Sequence, residues 1–591
     1  MSTTSRSSGV LAPLFALPGV RHMGALGAPA LEFVEFLRRA RQSWFQTLPV
    51  NPIDEYGSPY SSSSAFAGET LYLDLEDFYR EGLLDRADLD AAWFLTSRVD
   101  ATGSSVPQRD ARSERIDYAR ARASRTPCLQ KAFERYRSGR DGAKYRRLEE
   151  RFRAENEFWL RDFLLFEAAS DAYKTRLWSE WPSELRRRES SALDSLARER
   201  REFIDYSAFL QLAFDVQWRE FKEACNNRGV RMFGDVPIYV GGASADAWAR
   251  PELFMIDRDG RVLREAGAPA DDFNPDGQPW NSPIYRWSEH FATDFLWWKR
   301  RMTKTLERFD MVRLDHFIGF YNYYSFPRGA DDGAWERERR WAFESVGACE
   351  SDYEQGWTPG PQSAFFDAIF SVCPIDSFVA EDLGVMNDGV RALRDRYALP
   401  GMNVFQFSFD HFTDASRNPL DSWRANSVGY TGTHDTAPIL GWLDDVRKFG
   451  GRQFESLNYD AIVRVVRRYA RADDVAAETL NSSLGTALQR LAELLRIARP
   501  VRRVSPSYTF APPEIARLRT PILRAVAASP CRLTIFPIQD VLGLLNDARV
   551  NYPGVSDGNW TWRLGSNALT DEVAEVLRDV TESSGRAPTG E

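Results

Sequence analysis

Residues 311–317 read MVRLDHF, a short apolar run interrupted by one arginine that ends in an aspartate and a histidine. Seven other runs share this form, at 10–17, 44–50, 231–238, 375–382, 402–407, 427–434 and 532–538. Several are nearly continuous in apolar residues, as strands buried on both faces of a parallel sheet are. Helical patterns separate many of them. Residues 31–41 (LEFVEFLRRAR) place apolar side chains at every third position beside a basic face, and 208–226 and 388–397 also read as helices. Alternation of strand and helix predicts an α/β protein with right-handed crossovers, and eight repetitions predict a closed (β/α)8 TIM barrel.

The gaps between runs are uneven. About 180 residues, charged and helical, separate the second run from the third, and roughly 95 separate the seventh from the eighth. Both are too long for loops, so large, mainly helical insertions are predicted after strands 2 and 7. The chain then divides into a barrel start with strands 1 and 2 (1–80), a helical insertion (81–205) and a barrel core with strands 3–7 (206–445). A second helical insertion (446–525), the barrel end (526–582) and a tail predicted to be disordered (583–591, SSGRAPTGE) follow. Within the second insertion, LGTALQRLAELLRIARP (484–500) reads as an amphipathic helix packed on the barrel.

Composition removes several classes of function. The formal charge is −9, with both signs dispersed, whereas a nucleic-acid partner favours a basic stripe. No apolar run approaches the roughly 20 residues of a membrane span. Residues 9–19 (GVLAPLFALPG) mimic a signal peptide, but Pro13 interrupts the run and Arg21 and His22 precede the small-residue site at 25–27. The five cysteines are scattered and form no CxxC pair, which predicts neither a metal site nor a disulfide framework and suits a reducing, cytoplasmic setting. No GxGxxG follows a strand, so a dinucleotide cofactor is not expected. Eighteen Trp and 21 Tyr supply flat apolar faces with polar tips, suited to sugar rings as well as to a large core.

Catalytic groups of a barrel gather where its strands end. The third run carries Asp235, and the fourth carries Arg313, Asp315 and His316. The fifth carries Glu381 and Asp382, and the seventh His434 and Asp435. Any one of these acids could simply hold a loop by hydrogen bonds. Four on four strands, two of them beside histidines in a chain with five His, describe a polar pit. Glycoside cleavage needs such a pit: one carboxylate attacks the anomeric carbon, while a second carboxyl group keeps a proton for the leaving oxygen. Arg313 and Asp315 share one face of a strand, so the guanidinium can hold Asp315 ionised as a nucleophile. Glu381 has no basic neighbour in its run, which leaves it freer to keep a proton.

Eight segments together resemble the amylomaltases (4-α-glucanotransferases, disproportionating enzymes), relatives of the α-amylases. They are YGSPYSSSSAFAG (56–68), FGDVPIYVGGASADAWARPELF (233–254), PADDFNPDGQPWNSPIY (269–285), DMVRLDHFIGF (310–320), VAEDLGV (379–385), LPGMNVFQF (399–407), GYTGTHD (429–435) and PIQDVLGLLNDARVNYPGVSDGNWTWR (537–563). The resemblance implies Asp315 as nucleophile, Glu381 as general acid and base, and Asp435 as a ligand of the distorted sugar's hydroxyls. It implies that His434, Arg313 and Asp235 complete the shell and that Tyr60 stacks on the sugar. Residues 269–285 would be a mobile lid carrying Asp271, Gln278 and Trp280, and Asn551 and Pro553 would line the cleft. Maltooligosaccharides and α-1,4-glucans are the implied substrates, with no cofactor and no metal. The chain departs from the family's pattern at Thr436-Ala437-Pro438, at Ala12-Pro13-Leu14-Phe15 and in the loop before SPY. These departures spare the three carboxylates and touch substrate subsites. An α-glucan hydrolase of the same fold and a non-catalytic glucan-binding protein are the alternative readings.

Overall fold

In the computed structural model, the described residues are 6–588 without 20–22, 95–112, 140, 271–275, 330–331, 355, 385–386, 411–417, 450–456, 458, 472–515 and 556. Eight parallel strands form one sheet. They are β1 (Ser7–Leu11), β2 (Trp44–Gln46), β3 (Arg231–Val236), β4 (Met311–Leu314), β5 (Phe378–Ala380), β6 (Gly401–Val404), β7 (Ser427–Tyr430) and β8 (Leu533–Pro537). Their order is β5-β4-β3-β2-β1-β8-β7-β6, so all chain neighbours except β5 and β6 are sheet neighbours. The remaining seam, between β5 and β6, is drawn together without a ladder. Ala380 N donates to Pro400 O at 2.8 Å, and Met402 N donates to the Asp382 carboxylate at 2.6 Å. The result is a nearly closed TIM barrel.

All eight predicted runs hold a strand, each shorter than its run. Strand β1 begins earlier and ends sooner than 10–17, because Pro13 has no N–H for the ladder and 14–16 turn into a 3-10 helix. In the fifth run, 375–377 form another 3-10 turn before β5 starts. The segment 9–19 that mimics a signal peptide is thus strand β1 and its exit turn. Close approach of the strands is built in: a Cβ on Gly9 would lie 2.4 Å from Trp44 O.

Helices fill the first long gap. The longest are Ala143–Tyr173 and Arg201–Asn226, which pack on each other and bury Trp159, Phe163, Phe209 and Phe214. In the second gap the described residues include Ile439–Phe449, Tyr459–Tyr469 and Arg519–Ala528. The amphipathic stretch 484–500 lies outside the described residues.

Two features depart from the sequence reading. The loops after β3 and β4 share a four-stranded antiparallel sheet in the order Gln278–Pro283, Arg264–Ala268, Asn322–Pro327, Trp357–Pro359. Strands such as REAGA and QPWNSP are too short and too rich in Gly and Pro to show alternation. The tail is also placed as far as Pro588, not disordered from 583. Arg586 is fully buried and donates to the carbonyls of Ser7, Ala527, Ser529 and Cys531. Composition described the polar tail well but could not register one anchoring side chain. Among the described residues no helix is long and apolar enough to cross a membrane.

Candidate active site

Register builds the site. Asp235 on β3 and Arg313 on β4 are Cα partners, and Arg313 in turn faces Val379 on β5. The guanidinium therefore lies over Asp235, with Nε 3.0 Å from each carboxylate oxygen. It also donates to Asp315 Oδ1 at 2.7 Å, as the two-residue spacing predicts. Tyr60, brought in by the loop after β2, donates its hydroxyl to Asp235 Oδ2 at 2.7 Å.

One residue beyond the strands, the same register sets Glu381 beside Asp315. Glu381 N donates to Leu314 O at 3.0 Å, and Phe317 N donates back to Glu381 O at 3.1 Å. The Glu381 carboxyl accepts His316 N at 2.8 Å and Leu383 N at 2.9 Å. Burial raises its pKa to about 8, opposed by Arg313 and reinforced by the charge of Asp315. Asp315 is also pushed up from 3.8 by burial, opposed first by Arg313. Its side chain is a quarter exposed and ion-paired directly, so it is the more acidic of the two. The lack of a basic neighbour within the fifth run was true of the run but not of the site, because Arg313 reaches Glu381 from the next strand.

His434 and Asp435 follow β7. Burial pushes the imidazole down, and its Nε2 lies 3.1 Å from Asp435 Oδ2. Asn551 Nδ2 donates to Asp435 Oδ1 at 2.6 Å, and Asn551 N donates to His434 O. Asn551, expected at the cleft wall, thus braces Asp435, while Pro553 is exposed. Tyr60, expected to stack on sugar, lies parallel to His434, with ring centroids 5.2 Å apart.

Of the predicted lid, Gln278 opens the strand Gln278–Pro283 and Trp280 projects from it, half-buried, edge-on to His316 at 4.8 Å. Asp271 lies outside the described residues. Sequence reasoning missed Trp560, which packs against both Tyr60 and His434, and Arg549, which donates to the Asp435 carbonyl. Both fall within 537–563, but nothing in residue type or spacing marks them. Asp382, expected in the pit, is instead ion-paired to Arg394 at the β5–β6 seam. Among the described residues there is no cluster of three or more His, Cys, Asp or Glu able to hold a metal ion.

Such a site can attack an anomeric centre from Asp315, protonate a leaving oxygen from Glu381 and bind sugar hydroxyls at Asp435 and His434. Comparison with known proteins gives the family. A family model described as 4-alpha-glucanotransferase matches residues 12–568. The chain is 32% identical over 582 residues to the 4-alpha-glucanotransferase of Streptococcus pneumoniae serotype 4, covering 98% of this chain and 96% of the relative. It is 33% identical over 585 residues to that of Thermus thermophilus, covering 98% and 99%. An amylomaltase from Streptococcus agalactiae in complex with acarbose superposes with a TM-score of 0.75 at 29% identity, over 99% of this chain and all of the other.

Proposed function

This chain belongs to the 4-alpha-glucanotransferase family, and on that premise we propose that it transfers α-1,4-glucan segments between maltooligosaccharides by a retaining double displacement. In the first half, an Asp315 oxygen attacks C1 of the donor sugar as the C1–O4 bond breaks. The Glu381 proton passes to the departing O4, and the shortened chain leaves with a 4-hydroxyl. In the second half, Glu381, now a carboxylate, takes the proton of an acceptor's 4-hydroxyl. The acceptor oxygen then displaces Asp315 from C1, and net configuration is kept.

The observation that carries this reading is the pair of adjacent strands β4 and β5 followed by Asp315 and Glu381, one ion-paired to Arg313 and the other with its pKa pushed up by burial to about 8. Adjacent strands lie about 4.8 Å apart, near the roughly 5–5.5 Å carboxyl separation of retaining enzymes. Asp435, braced by Asn551 and His434, would bind the hydroxyls of the distorted sugar, and Asp235 would keep Arg313 in place. Trp280 and Gln278 would line the acceptor side, where exclusion of water favours transfer over hydrolysis.

Two experiments test the reading. With maltotriose, transfer yields longer maltodextrins plus glucose; a product mixture of glucose and maltose alone would make the protein a hydrolase. In Glu381→Gln, the fluoride of an α-maltosyl fluoride leaves without needing a proton, so the maltosyl group should load the enzyme. Peptide mass mapping is expected to find the sugar on Asp315, and a sugar on another residue, or none, would overturn the covalent step.

A further inference from the structure

His316, next in sequence to Asp315, touches both the Trp280 strand and Glu381. Its φ is +49°, in the left-handed region that residues other than glycine seldom adopt. That turn aims its N–H at Glu381 Oε2, 2.8 Å away. Its ring stands edge-on to Trp280, with centroids 4.8 Å apart and planes at 89°. On another side the ring lies over Gly319, where a Cβ would meet His316 Cδ2 at 3.0 Å and Ile238 Cδ1 at 2.7 Å. Burial pushes the imidazole down to about 4, so at neutral pH the ring is uncharged and acts through its shape.

We propose that His316 is a positioning residue: its ring, held between Trp280 and Gly319, fixes the left-handed backbone that presents its N–H to Glu381, so that contact at Trp280 sets the acidity of the proton donor. This rests on the reading of Glu381 as the general acid. A hydrogen bond to a carboxyl oxygen favours the ionised form. Glu381 receives two such bonds, from His316 N and Leu383 N. The charges facing it, Arg313 on β4 and Asp315 one residue beyond that strand, pull in opposite directions, and the same His316 N–H also lowers the carboxyl of Asp315. With the ring unsupported the N–H drifts from Glu381, burial prevails, and the carboxyl releases its proton less readily. A glucan lying on Trp280 pins the ring and keeps the acid at its strongest.

The test compares pH profiles of kcat/KM for maltotriose disproportionation in the full chain and its variants. Activity needs Glu381 protonated, so the basic limb reports its pKa. His316→Gly retains the N–H and tolerates the positive φ but removes the ring. Its basic limb is expected to move up by at least about 0.5 pH unit. Trp280→Ala should move it the same way, and the double variant no further than the larger single one. Gly319→Ala, which crowds the ring while sparing His316, should also raise it, and His316→Phe, which restores an edge contact, should return it towards wild type. A basic limb unmoved in His316→Gly, whatever the loss of rate, or shifts that add in the double variant, would overturn the proposal. If His316→Gly fails to fold, Trp280→Ala and Gly319→Ala decide alone: an unmoved limb in both overturns it. Failure of the underlying reading shows earlier and separately, as a wild type without a basic limb dependent on Glu381.

Discussion

Asp235 has a side chain only 1% exposed, and burial pushes its carboxyl up. A carboxylate there is tolerated while the Arg313 guanidinium and the Tyr60 hydroxyl bond it. Arg313→Ala strands that charge, a change that costs about 3–5 kcal/mol in buried pairs. Arg313→Lys keeps the charge but loses the fork that reaches Asp235 and Asp315 at once. Thermal melts are expected to show the Ala variant strongly destabilised. The Lys variant should fold and lose most of its kcat. Activity should be bell-shaped in pH. It falls as pH rises through about 8 and Glu381 gives up its proton, and it falls in acid as Asp315 takes one up. Stability follows the same group. Below its ordinary value of 4.5, Glu381 is protonated in both folded and unfolded chains; above it, only the unfolded chain ionises, until about pH 8. Its burial therefore weighs against the fold increasingly across that window. Glu381→Gln should raise the melting temperature at pH 8 relative to wild type, not at pH 4, while abolishing transfer. The pairing of Arg313 with Asp315 was legible from their spacing. The backbone donor from His316 to Glu381 was not, because it depends on a left-handed turn at His316 that no residue type announces.

At the scale of elements, the barrel was legible because each strand is an apolar run with polar residues at its end, a pattern that survives without knowledge of partners. The antiparallel sheet of the β3 and β4 loops was not. Gly267 serves there because Gln278 O would lie 2.2 Å from a Cβ, so the residue that permits the pairing is one that reads as a loop. The open seam between β5 and β6 is also invisible in sequence, since Asp382 looks like one more acid of the pit. Its carboxylate instead bonds Arg394 and Met402 N and occupies the space that any side chain on Gly401 would enter. Asp382→Ala leaves Arg394 buried without this partner, and about 3–5 kcal/mol is the cost usual for breaking such a pair. Hydrogen exchange at the Met402 amide should accelerate more than exchange in β1 or β2. Equal acceleration in all strands would show that the seam opens only with the whole barrel.

Over the whole molecule the segments around Arg6 and Arg586 meet at the edge of the barrel where β1 and β8 begin, away from the carboxylates. Arg586 spans the carbonyls of Ser7, Ala527, Ser529 and Cys531, and Arg6 reaches Ala527, Ser529 and Ser584. These bonds tie the first strand to the last at the edge where Ser7 pairs with Leu533. Hydrogen bonds from a charged group contribute about 1.5–3 kcal/mol each, though four from one guanidinium will not add in full. Arg586→Ala removes one donor from each of these carbonyls, of which Ala527 and Ser529 keep Arg6, and should lower the unfolding temperature by several degrees, with faster exchange in β1 and β8. The lower face of a barrel governs stability, while the upper face carries the chemistry. Transfer from maltotriose at 25 °C should therefore stay within about twofold of wild type, since Arg586 touches no group of the upper face. Loss of activity in a variant that remains folded would mean that strand β8 carries strain from the lower edge up to the loop around Asn551 and Asp435.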